Sequence, residues 1–230
     1  MVVQPGKDPA PLVNTTQETA APVAACGPRE VALMLGPEPH DTIAFADPDS
    51  GRLVRTIAPG RGPVDSLSCA PDGSMVYFAA HGVVWSVPAA GLPAGGEPRR
   101  IRTGMSVVAD PAGQRLIVQA VEDSALRRFS VPLAGGPERQ IPSDPSASFA
   151  PHPLSPNALT THGRLLINLQ PRDSWFNPPA VVDTETGRVT RIPSDNLHDY
   201  QSVSWAPDGR VIALRYGVRA TLWKFQPAKR

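Results

Sequence analysis

Five histidines, His40, His81, His152, His162 and His198, are the side chains of this chain best suited to acid–base or metal chemistry. Neither His-x-x-x-His nor His-x-x-Glu-His occurs, so no zinc-hydrolase spacing is present. His198-Asp199-Tyr200 sets an imidazole beside a carboxylate, a pairing that could move a proton or hold a cation. The more frequent use of such a histidine is as a solvated or turn-bonded side chain. A second cluster, Arg172-Asp173-Ser174-Trp175-Phe176, mixes a guanidinium with two aromatic rings, the residue types that dominate interface energetics. A Gly-x-Ser-x-Gly nucleophile elbow is missing, and two cysteines are too few for a metal site. The expected cofactor content is none.

Composition narrows the partners. With 22 basic and 21 acidic side chains the net charge is +1, and no basic stripe offers the positive footprint that nucleic acids require. No apolar run reaches the length of a membrane-spanning helix. The opening Met1-Val2-Val3-Gln4-Pro5-Gly6-Lys7 has no basic region followed by an apolar one, so the chain as written reads as cytoplasmic. Cys26 and Cys69 stand near equivalent turns. A disulfide needs Cα atoms within about 7 Å, and diverging sheets favour two buried thiols instead.

The elements that would position these groups follow from repetition. An apolar strand, a tight turn and a second apolar strand recur five times. The turns are Ala70-Pro71-Asp72-Gly73, Ala206-Pro207-Asp208-Gly209, Asp110-Pro111-Ala112-Gly113, Thr161-His162-Gly163 and a degenerate copy at Cys26-Gly27-Pro28. Positions 28, 73, 113, 163 and 209 fall in register, a period of 40 to 50 residues with several short strands per repeat. That is the pattern of a β-propeller blade. The 28 prolines and 19 glycines mark the turns rather than disorder. The cleanest repeat predicts strands over 64–69, 75–80, 83–87 and 99–102. Second strands such as Leu116-Ile117-Val118 are apolar on both faces, as sheets packed between neighbours require. Phe45, Trp85, Phe129 and Trp223 recur on third strands and are read as packing between sheets. Asp72 and Asp208 are read as local side-chain-to-backbone turn bonds.

The expected architecture is therefore all-β: a propeller of about five four-stranded blades, or a segment of a six- or seven-bladed one. Residues 1–8 would be a flexible start and 9–227 one domain. Its blades fall near 20–58, 64–103, 105–142, 157–193 and 201–226. Residues 9–16 would supply an outer strand that closes the last blade against the chain end.

The Ser-x-x-x-Ala-Pro-Asp-Gly motif at residues 66–73 and 202–209, with its following Gly-Gly-x-x-Arg-x-Ile hairpin, resembles the TolB-type, WD-repeat-like propeller repeats of bacteria. Such repeats occur in periplasmic interaction proteins, in sensor-like tails of serine/threonine kinases and ahead of hydrolase domains. The resemblance implies the propeller alone, with a periplasmic or otherwise extracytoplasmic position as the alternative to the cytoplasm. Fold does not deliver function, so the job has to be sought in the loops.

Two connections are much longer than their counterparts, 142–157 and 170–179, and long loops in a compact domain are disproportionately functional. The candidate binding set is His152, Arg172, Asp173, Trp175, Phe176, His198, Asp199 and Tyr200. The expected role is a monomeric, non-catalytic interaction or sensing domain that takes a protein segment or a small ligand on this face. The alternative is a propeller enzyme, a metal-assisted hydrolase or lyase with His and Asp residues at the channel mouth, which would require His81, His152, His198 and Asp199 to converge within hydrogen-bond reach.

Overall fold

A computed structural model describes residues 12–172, 174–194 and 198–217. Among these the chain is all β-structure, with no helix, and it forms antiparallel sheets in chain order. The first contains β1 (Thr19–Cys26), β2 (Glu30–Leu35), β3 (Thr42–Ala46) and β4 (Leu53–Ile57), and the second β5 (Ser66–Cys69), β6 (Met75–Ala80), β7 (Val83–Pro88) and β8 (Arg99–Thr103). The third holds β9 (Ser106–Ala109), β10 (Arg115–Glu122), β11 (Ala125–Pro132) and β12 (Arg139–Gln140). The fourth is β13 (Arg164–Asn168), β14 (Pro179–Asp183) and β15 (Val189–Arg191), with a bridge from Leu159 to Leu165 at its inner edge. The last described sheet pairs β16 (His198–Trp205) with β17 (Val211–Gly217). The expected strand at 221–225, including Trp223, lies outside the described residues.

Alternation along the second strands explains how sheets stack. In β6, Val76, Phe78 and Ala80 join a buried cluster with Ala32, Ile43 and Phe45 of the first sheet. Tyr77 and Ala79 point the other way, into a cluster with Val107, Leu116 and Val118 of the third. β10 repeats this, sending Leu116 and Val118 back and Ile117 forward among Leu165, Leu166 and Ile167. Period-two side chains that are apolar on both faces are what a sheet between two sheets requires.

The first strands of neighbouring sheets lie side by side, β1 against β5 and β5 against β9, and more than one kind of group fastens the seams. Cys26 and Cys69 form a disulfide between β1 and β5, with Cα atoms 5.2 Å apart. This corrects the expectation of two thiols: the first strands of the two neighbouring sheets stay close enough to bridge. The β5–β9 seam uses hydroxyls, Ser66 Oγ accepting from Val107 N at 3.1 Å and Ser68 Oγ from Ala109 N at 3.0 Å. Ser106 Oγ then accepts from Leu154 N at 2.6 Å, and Trp205 N donates to Asn157 O at 2.9 Å. The serine that opens the repeated motif thus satisfies a backbone N–H that no strand partner reaches. The turns come equally close: a Cβ on Gly73, whose φ is +73°, would lie 3.1 Å from Gly27 N.

Ala25, Cys69, Ala109 and Trp205, from four of the sheets, and Asn157 from the segment ahead of β13 line one cavity of about 390 Å³ on the turn side. Residues 12–14 lie on the first sheet: Asn14 N donates to Gly51 O at 2.8 Å, and Val13 packs on Leu33, Leu35, Ala44 and Ala46. In the turns, Asp72 Oδ1 accepts from Ser74 N and Asp208 Oδ1 from Arg210 N, the local bonds read from the sequence.

Arg55 ties the first two sheets together. Its guanidinium stacks on Phe45 at 3.9 Å, donates to Ala89 O at 2.8 Å, and forks onto both carboxylate oxygens of Glu30 at 2.6 and 2.7 Å. The hydrogen bonds from Arg55 hold the Glu30 carboxyl below its usual value, against partial burial, with the Arg55 charge adding to the effect. A depressed folded-state value means that this stabilisation is present above the ordinary Glu value of 4.5 and is lost as pH falls through the lowered one. The melting temperature of wild type should therefore exceed that of Glu30→Gln at pH 6, with the gap narrowing progressively toward pH 3. A gap that stays constant over that range would refute the coupling.

Candidate binding surface

The two swollen connections are joined at their bases. Ala150 N donates to Asn168 O at 3.0 Å and Gln170 N to Ser148 O at 2.9 Å, with Phe149 bridged to Leu169. The loop 170–179 is then locked to the next sheet. Asp199 Oδ1 accepts from Asn177 N at 2.9 Å and from Tyr200 N at 3.1 Å. Asn168 Nδ2 donates to Asn177 O at 3.1 Å and to Tyr200 O at 2.8 Å. A buried amide and a carboxylate thus hold loop and strand in one register.

At the loop tip Ser174 Oγ accepts from Phe176 N at 3.0 Å, closing a small turn around Trp175. Trp175 is 97% exposed, the most exposed large hydrophobic side chain among the described residues, and does not fold back onto its own sheet. Arg172 is exposed beside it and Phe176 is half-buried. Asp173 lies outside the described residues. His198, Asp199 and Tyr200 are all half-buried on β16, where His198 pairs in register with Gly217.

His152 stands apart from that group. It borders a cavity of about 190 Å³ with Asp65, Gln201 and Ser202. Its carbonyl accepts from Gln119 Nε2 at 2.9 Å, while its buried Nδ1 has no partner. His40 Nδ1 bonds to Gly36 O at 2.7 Å, and the His81 ring fills the space over Gly62. Asp199 Oδ1 is engaged by two backbone N–H groups of the protein itself. Among the described residues no three His, Cys, Asp or Glu side chains gather as metal ligands.

Sequence reasoning missed Asn168, Gln119 and Arg128. The available signal was polarity in an apolar context: Gln119 interrupts the apolar run of β10, and its partner in register on β11 is Arg128. Both are buried. Replacing Asn168 by alanine leaves two carbonyls without their donor and should cost about 1–3 kcal/mol. It should also speed amide exchange across 174–178 while leaving β5–β8 unchanged. Equal exchange in both proteins would show that the clamp does not hold the loop.

No family model matches the sequence, and no curated protein matches it. Solved structures do. A protein assigned as TolB from Agrobacterium tumefaciens superposes with a TM-score of 0.60 at 15% identity, covering 82% of this chain and 66% of that one. TolB from Acinetobacter baumannii gives 0.59 at 16%, over 87% of this chain and 49% of the other. Hydrazine synthase of Kuenenia stuttgartiensis gives 0.51 at 16%, over 81% and 58%. The chain thus spans about half to two thirds of the length of these proteins. The class these likenesses define is a TolB-like β-propeller fold. At such identities they speak to the fold alone.

Proposed function

We propose that the sheets close around one axis as a five-bladed propeller, and that the chain is a non-catalytic interaction module. It binds a protein segment or small ligand through Arg172, Asp173, Trp175 and Phe176, with His198, Asp199 and Tyr200 beside them and His152 at the inner mouth. The observation that carries this reading is Trp175, 97% exposed on a loop whose base is hydrogen-bonded to two sheets. An aromatic anchor on a pre-ordered loop binds without a large ordering cost. The TolB-like fold is consistent with protein binding. The Cys26–Cys69 disulfide supports the extracytoplasmic alternative over the cytoplasm, because such bonds persist in oxidising compartments.

Photo-crosslinking from position 175, compared with the same probe at exposed Val54 in the first sheet, tests the surface. A partner trapped from 175 and lost on Arg172→Ala supports the assignment; identical products from both positions discard it. Closure is tested by small-angle scattering of the monomer, where a compact body of this length has a radius of gyration of about 17 Å. An open arc of sheets would give a distinctly larger value.

A further inference from the structure

A buried cation without a counter-charge marks the junction of the third and fourth sheets. Arg128 is 4% exposed, its Nε has no hydrogen-bond partner, and no carboxylate pairs with it among the described residues. Its guanidinium lies 4.1 Å from the Phe149 ring, a contact that offsets only part of the cost of burying a lone charge. Burial lowers its pKa to about 10, so the group remains cationic at neutral pH.

Arg128 borders a small cavity of about 10 Å³, room for one small particle. Gln119, His152, Ser155 and Asn168 bring polar groups to the same wall, and His152 Nδ1 is the second buried polar atom there without a partner. Leu166, Ile167 and Val203 close the remainder. The stretch from His152 to Ser155 also borders the larger cavity at the inner mouth, which gives a way in from solvent.

The geometry points to a binding site for a monovalent anion of halide size, chloride in solution, held by Arg128 with a His152 N–H on its flank. Size sets the class: the small volume favours a single-atom anion over a tetrahedral oxyanion. This site shares His152 with the surface proposed above but does not involve Arg172, Trp175 or Phe176.

Thermal unfolding at fixed ionic strength, exchanging sodium gluconate for sodium chloride, tests it on wild type and Arg128→Met. Wild type should gain about 3–6 °C when chloride reaches ten times its dissociation constant, with saturation, and Arg128→Met should gain nothing. Equal melting of wild type in the two salts would overturn the site. So would stabilisation by formate but not chloride, which would reassign the pocket to carboxylates. If Arg128→Met does not fold, crystals of wild type soaked in bromide decide the matter. An anomalous peak beside the guanidinium supports the proposal, and a water there without anomalous signal refutes it.

Discussion

Replacing Cys26 and Cys69 together by alanine is expected to lower the stability of the protein by roughly 4 kcal/mol. The bond closes a loop of 43 residues in sequence, and cross-linking a loop of that length restricts the unfolded chain by about that much. For a domain of this size the melting temperature should fall by about 8–16 °C. Reduction of wild type should reproduce the loss, and the reduced protein and the double variant should melt together. A difference within about 0.5 kcal/mol between oxidised wild type and the variant would mean that the unfolded chain is already restricted there by other means.

The second large effect is in the packed interior. Phe45 is fully buried on β3, facing Val76, Phe78 and Val87 of the second sheet, with Arg55 stacked on its outer side. Phe45→Ala should cost about 3–5 kcal/mol, through lost burial and the cavity left behind. Trp175→Ala, by contrast, should change stability by no more than about 0.5 kcal/mol, because its ring touches solvent almost everywhere. Chemical denaturation of the two variants side by side separates an aromatic that holds sheets together from one that is free to meet a partner. A loss above about 2 kcal/mol from Trp175→Ala would show that the ring packs against the protein in solution.

The parts of this fold that repetition encodes were readable in the chain. Leu116-Ile117-Val118 is apolar at every position, which states that both faces of its strand are covered, and the structure shows which neighbour covers which face. The aspartates of the turns were readable for a related reason, since their bonds run only two residues along the chain. What escaped were contacts between residues far apart. Cys26 and Cys69 have a spacing but no distance until β1 and β5 are laid side by side. Asn168 looks like the polar end of an apolar strand, and only folding brings Asn177 and Tyr200 to its amide. At the candidate surface the loop is recognisable by its length and its aromatics, whereas the bond from Asn177 N to Asp199 Oδ1 that braces it joins residues 22 apart in sequence.

The unlike fastenings of the inner strands make the molecule chemically uneven. A mild reductant acts on one junction only, that between the first two sheets, and leaves the serine-held junctions intact. Loosening should therefore begin near Ala25 and Cys26 and spread inward, with the Val107 and Ala109 amides exchanging late. A cell compartment that shifts its thiol balance would thus weaken this protein at a defined junction rather than all at once.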